Sequence, residues 1–228
     1  MRMRKKPNLI PRMQRCARLL IPSPEIHRGG WRTLMPQAEA LHVELGCGKG
    51  RFTAETAAAH PQVLFVAVER VPDAMVIAME RVEALGLENV FFLDADAAKL
   101  CDYFAPGEVD RIYINFCDPW PSNRHAKRRL THVDFLLRYR QVLREGGAIH
   151  FKTDNRDLFE WSLFQFPKAG YALSEVTRDL HANGVQGVMT DYEEKFHLLG
   201  TPINRCVATV GPLPAPADQE TPSPGEEA

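Results

Sequence analysis

The sequence predicts an α/β protein, a mostly parallel seven-stranded sheet with helices on both faces. Three observations carry that prediction. Short apolar runs of strand length alternate with segments of helical periodicity, the pattern of repeated βαβ units. The first run, Leu41 to Leu45 (LHVEL), passes directly into glycines at 46, 48 and 50 and then into a helix-forming stretch, Arg51 to Ala59. Acidic residues also stand at or just past the ends of successive runs, at Glu44, Glu69, Asp96, Asp118 and Asp154. A parallel sheet would gather them along one edge.

Composition sets the outer bounds. A chain of 228 residues holds one sizeable domain with tails. Its 45% hydrophobic and 25% charged residues are those of an ordinary globular protein. Net charge is −1, so any nucleic-acid binding must rest on local patches. Five cysteines (Cys16, Cys47, Cys101, Cys117, Cys206) show neither a CxxC pair nor regular spacing. That argues against a disulfide framework or a metal site and points to a reducing cytoplasm. No apolar stretch approaches the ~20 residues needed to cross a membrane, and no signal-peptide core follows the basic start. No membrane association and no obligatory protein partner are expected.

Residues 1–40 read as a basic arm, with Arg2, Arg4, Lys5, Lys6, Arg12, Arg15 and Arg18 ahead of the first acid, Glu25. Such a segment lies on the domain or becomes ordered on an anionic partner. Residues 41–210 read as the domain. Residues 211–228, Pro- and Glu-rich, read as a disordered tail.

Within the domain, Gly46, Gly48 and Gly50 follow the first strand at GxGxG spacing, letting backbone approach a nucleotide-like ligand closely. Arg51 stands where a dinucleotide fingerprint needs its third glycine, which counts against a nicotinamide cofactor. Glu44, just before the turn, would repel a pyrophosphate but suits the cationic methionyl end of S-adenosyl-L-methionine. Leu64 to Val68 is the second strand, closing on Glu69, placed to accept both ribose hydroxyls. Pro72 opens a helix whose Met75, Met79, Val82 and Leu85 recur at core spacing before Gly86 ends it. Asn89 to Leu93 is the third strand. Asp94 or Asp96 beyond it could accept from an adenine amine.

Arg111 to Phe116 (RIYINF) is the fourth strand and runs into DPWP. Pro119 and Pro121 restrict the turn, so the carboxylate of Asp118 is presented with few alternative backbone states. Arg124, His125, Lys127, Arg128 and Arg129 follow as a dense source of phosphate-binding charge. Thr131 and Asp134 suggest a capping box before a helix that Gly146–Gly147 would end. Ala148 to Thr153 is the fifth strand, closing on Asp154. Ala172 to Val176 and Arg205 to Val210 complete the set, with Thr190 to Lys195 (TDYEEK) between them.

The motifs ELGCGKG, AVER, DAD, NFCDPWPSNRHAKRRLTH, HFKTDN and TDYEEKFHLLGTPI closely resemble those of the bacterial tRNA (guanine-N7-)-methyltransferases, the TrmB family. The similarity runs from the first residues to about Val210. It implies a Rossmann-like methyltransferase fold that uses S-adenosyl-L-methionine, a tRNA substrate, and methylation of the variable-loop guanine, nucleotide 46. By the same resemblance Glu44, Glu69, Asp96 and Asp118 contact the cofactor or its neighbourhood, Asp96 rather than Asp94 meets the adenine, and Asp118 is catalytic. Asp154, Thr190, Asp191, Tyr192 and Glu193 correspond to substrate contacts, and Arg124 to Arg129 to the RNA-binding segment. The family commonly has Lys directly after DPWP. Here Ser122 is short and neutral, which leaves Arg124 or Lys127 to supply that contact. An exocyclic-amine methyltransferase is the nearest alternative, but its (D/N)PP(Y/F) turn would put proline where Trp120 stands; a non-catalytic RNA-binding module is the other, and the full set of cofactor-side acids counts against it.

Overall fold

The computed structural model describes residues 5–213. Its centre is one seven-stranded sheet in the order β3-β2-β1-β4-β5-β7-β6. The strands are β1 (Ala40–Leu45), β2 (Val63–Glu69), β3 (Val90–Asp94), β4 (Val109–Asn115), β5 (Leu143–Thr153), β6 (Tyr171–Thr177) and β7 (Asn204–Val210). β1 to β5 pair in parallel, and β7 runs antiparallel to both β5 and β6. The helices are α1 (Leu9–Arg15), α2 (Arg51–Ala59), α3 (Pro72–Ala84), α4 (Leu100–Tyr103), α5 (Val133–Val142), α6 (Arg156–Lys168) and α7 (Asp191–Leu198).

The unbroken apolar runs are explained by burial on both faces. On one face Leu41, Val43, Leu45, Ile112, Ile114, Ile149 and Phe151 meet Leu136 and Tyr139 of α5 and Leu158, Phe159 and Phe166 of α6. On the other, Phe65, Ala67, Val90 and Phe92 meet Phe52 and Ala57 of α2 and Met75, Met79 and Val82 of α3. The methionine pair is fully buried packing, as its spacing suggested.

Strand order reverses at β1. From there the chain winds outward through β2 and β3, then returns to lay β4 on the other side, with Leu45 beside Ile114. This switch point leaves a crevice at the carboxyl ends of β1 and β4. Gly50 fixes how closely α2 approaches α3. Its φ is +74°, and a Cβ there would lie 2.4 Å from the Cβ of Ala78.

The described part of the arm packs on the domain. Arg12 grips Glu80 of α3 through two hydrogen bonds of 2.7 and 2.5 Å, and Arg18 pairs with Glu83 at 2.9 Å. Trp31 is fully buried, stacked on Phe104, with its indole N–H on the Tyr103 carbonyl at 2.9 Å. The Pro- and Glu-rich tail beyond residue 213 lies outside the described residues.

Two local expectations need correction, and one unassigned stretch is resolved. Thr131 does not cap α5: its buried hydroxyl bonds Ser162 at 2.7 Å, and the His132 ring accepts from the Asp134 N–H instead. Gly146–Gly147 does not end that helix, which stops at Val142 and passes directly into β5. Thr190 to Lys195 is helical. Thr190 and Glu193 form a reciprocal capping box, a T-x-x-E signature visible in the sequence.

Gly50→Ala combines a left-handed backbone with a close helix contact. It is expected to cost about 2–4 kcal/mol of folding stability in urea titration.

Candidate active site

The carboxyl edge of the sheet collects the acids in spatial order. Asp96 lies past β3, Glu69 ends β2, Glu44 stands near the end of β1, Asp118 lies past β4 and Asp154 past β5. A cleft of about 270 Å³ opens at the switch point, lined by Glu44, Gly46, Gly48, Phe52, Asn115 and Phe116 on the sheet side. Thr190, Asp191, Tyr192 and Lys195 of α7 and its cap line the facing side. Glu69, Asp96, Asp118 and Asp154 stand outside this lining, distributed along the edge.

Glu44 is 2% exposed and makes no ion pair among the described residues. Asn115 donates to it at 2.9 Å, and the Thr53 hydroxyl donates to its other oxygen. Burial pushes its carboxyl above the usual range. The Thr53 and Asn115 hydrogen bonds and the Lys152 charge oppose that shift without cancelling it. Glu69 organises the glycine turn: one oxygen accepts the Gly48 N–H at 2.9 Å, the other those of Arg70 and Val71 at 2.9 Å each. Asp96 accepts the Ala98 N–H at 2.9 Å and pairs with Arg70 at 3.0 Å.

Two strained residues bracket Asp118. Phe116 has φ +54° and Trp120 φ +43°, conformations that cost non-glycine residues free energy and persist where neighbours enforce them. The Phe116 N–H is held by the Lys152 carbonyl at 2.9 Å, and at Trp120 the enforcing group is Arg129. It is 6% exposed, donates to the Pro119 and Trp120 carbonyls at 3.0–3.2 Å, and lies over the Trp161 ring at 4.4 Å. Arg129 is therefore spent on holding the turn, not turned out toward RNA. Arg124, Lys127 and Arg128 are exposed and His125 is half-buried. Arg128 covers one face of the half-buried Trp120 at 4.9 Å. Ser122 is exposed at the start of the 3₁₀ turn Asn123–Arg128.

The residues at α7 divide in the same way. Glu193 is fully buried, accepting from Lys152 at 2.6 Å and bonded to the His181 ring at 3.1 Å. Asp191 takes a bidentate grip from Arg81 at 2.8 and 2.9 Å, and Arg51 reaches Glu194 at 2.6 Å. Thr190 caps the helix. Glu193 thus fastens α7 over the cleft, with no surface to offer a base. Tyr192 is exposed and lines the cleft.

Phe52, Asn115 and Lys195 line the cleft without having been singled out from sequence. Only register could have found Asn115: β4 pairs with β1 so that Tyr113 lies opposite Glu44, and Asn115, two residues further along the same face, reaches the carboxylate. All five cysteines are free, and burial raises each thiol; Cys117, next to Asp118, is pushed up to about 12. A thiolate nucleophile has no support here.

The residues suit a cationic adenosyl cofactor. Gly46 and Gly48 have φ of +77° and +57° with nothing within 4 Å of where a Cβ would stand, leaving room for a ligand against the backbone. Among the described residues the buried Glu44 has no ion-pair partner, and Asn115 beside it keeps a buried carbonyl oxygen without a partner.

Comparison with known proteins agrees. Residues 38–206 match the family model described as "Putative methyltransferase". The tRNA (guanine-N(7)-)-methyltransferase of Geobacillus kaustophilus is 47% identical over 213 residues, covering 93% of this chain and 98% of that protein. That of Bacillus subtilis is 44% identical over 206 residues, covering 90% and 97%. Among solved structures, the 16S rRNA methyltransferase KamB superposes with a TM-score of 0.63 at 18% identity, covering 81% of this chain and 94% of that one, a likeness of fold. The fold, the switch-point crevice around the buried Glu44 and the family match together define an S-adenosylmethionine-dependent α/β methyltransferase. Within that class, the chain belongs to the bacterial tRNA (guanine-N7-)-methyltransferase family.

The raised carboxyl of Glu44 gives two signed expectations. Cofactor affinity should fall as pH drops from neutral through that raised value, because protonation removes the charge that meets the ligand. In the free protein the sign reverses: a raised group favours folding at low pH and loses that contribution as pH rises through its folded value. Glu44→Gln should therefore raise the apoprotein melting temperature at neutral pH by about 2–4 °C, while weakening cofactor binding and flattening its pH dependence. Scanning calorimetry and titration across pH read both effects.

Proposed function

We propose that this protein transfers a methyl group from S-adenosylmethionine to N7 of guanine 46 in the tRNA variable loop, in the cytoplasm, forming 7-methylguanosine. The observation that carries the reading is the Arg129-clamped DPWP turn. It holds an exposed Asp118 just past the carboxyl end of β4, the strand that pairs with β1 and its buried Glu44, and is followed at once by Arg124, Lys127 and Arg128.

The cofactor supplies a methyl group on a sulfonium, which departs as a neutral thioether. On this reading Glu44 meets the cationic methionyl end, Glu69 the ribose hydroxyls and Asp96 the adenine amine. The glycine turn gives backbone contact. Guanine N7 carries a lone pair and no proton, so it needs no general base at the nucleophile. As the N7–carbon bond forms and the carbon–sulfur bond breaks, positive charge appears on the purine. Asp118 accepts hydrogen bonds from the guanine N1–H and amine and stabilises that charge. Positioning supplies much of the rest. Arg124, Lys127 and Arg128 hold the tRNA backbone, and Asp154 and Tyr192 flank the base. Arg129 and Glu193 act from beneath, by holding the turn and α7.

Asp118→Ala is expected to lower kcat by about 10²–10³-fold, the range for losing one preorganised electrostatic group, while S-adenosylhomocysteine affinity stays within about threefold. Single-turnover kinetics and calorimetry separate the two. Unchanged turnover would remove Asp118 from the mechanism.

A further inference from the structure

We propose that Asn115 is a cofactor-recognition residue, whose Oδ1 accepts a hydrogen bond from the α-ammonium of the methionyl group beside Glu44. The inference rests on the assignment of the cleft as the S-adenosylmethionine site. It adds a residue that neither the sequence motifs nor the chemistry above required.

Asn115 is the last residue of β4, is 6% exposed, and lines the cleft with Glu44, Gly46 and Thr190. Its amide is oriented by its neighbour. A carboxylate only accepts, so the atom 2.9 Å from Glu44 Oε1 is the Nδ2 donor, and the carbonyl oxygen points elsewhere. That oxygen is one of four buried side-chain polar atoms without a hydrogen-bond partner among the described residues, and the only one of the four whose residue lines the cleft. Buried acceptors are almost always satisfied, and an orphan calls for a donor from outside the chain.

The charge of the site says which donor. Glu44 brings a buried negative charge held by neutral groups, Thr53 and Asn115, with no ion-pair partner among the described residues. Lys152, whose charge acts on it, is already bonded to Glu193 at 2.6 Å. The missing group is therefore a cation with several N–H donors, able to meet the Glu44 carboxylate and the adjoining amide oxygen together. An α-ammonium has three such hydrogens. A sulfonium has none, and ribose hydroxyls carry no charge.

The test is calorimetric titration of the full-length protein with S-adenosylhomocysteine and with its deamino analogue, which keeps the nucleoside, sulfur and carboxylate but lacks the nitrogen. The wild type should prefer S-adenosylhomocysteine. Asn115→Ala should weaken it about tenfold, in line with one hydrogen bond to a charged group, and leave the analogue within about twofold. Asn115→Asp keeps an acceptor at Oδ1 in either protonation state and should preserve the preference. Equal losses for both ligands in Asn115→Ala, or no loss for either, would overturn the proposal. So would loss of the preference in Asn115→Asp, because Asn115 would then act only by orienting Glu44. If Asn115→Ala does not fold, Asn115→Asp decides by the same criterion. A wild type that binds both ligands equally contradicts the ammonium contact while leaving the cofactor site in place. A wild type that binds neither contradicts the cofactor assignment itself.

Discussion

A carboxylate buried without a counter-ion is costly, and Glu44 is the point around which this structure arranges itself. Parallel pairing of β1 and β4 brings Asn115 against it. The glycine turn delivers α2 so that Thr53 reaches its other oxygen. Glu69 fastens the turn by accepting the Gly48 N–H. Neutral hydrogen bonds hold the charge in place but leave its free energy unfavourable, as the upward shift of its carboxyl shows. A cationic ligand would offset that cost, so the same feature that weakens the free protein favours the occupied one. Stability given up at a binding site in this way is a common trade.

The other charged residues near the edge divide between fastening and contact. Arg129, Arg81, Arg51, Lys152, Asp191 and Glu193 are consumed internally, in the Asp118 turn and in α7. Arg124, Lys127, Arg128 and Tyr192 are exposed. The division follows from desolvation. A buried charge without its partner is strongly destabilising, which commits Arg129, Lys152 and Glu193 to structure; the partly exposed Arg81–Asp191 and Arg51–Glu194 pairs are engaged with each other, and the exposed set is free to meet a phosphate or a base. Removing one of the paired residues would therefore impair the site indirectly, through Asp118 or α7.

Much of this was legible in the sequence, for reasons that can be named. The strands announced themselves because a sheet covered on both faces needs continuous apolar runs, and the acids because each follows such a run. Burial was less legible. Arg129 sits in the same basic run as Arg128, yet one is a buried clamp and the other exposed, a difference set by Trp161 more than thirty residues away. Glu193 lies within TDYEEK but turns inward to Lys152 of β5. The α5 cap failed for a related reason: Thr131 had a buried partner, Ser162, that the local pattern could not reveal. Asn115 was hidden in an apolar strand, its role set by register with β1.

The most direct test of the functional account is transfer of labelled methyl from S-adenosylmethionine to unmodified tRNA, followed by nucleoside analysis and mapping of the labelled position. The account requires label in 7-methylguanosine at guanine 46 of the variable loop. Label in a methylated exocyclic amine, or no label from a protein that binds the cofactor, would contradict it.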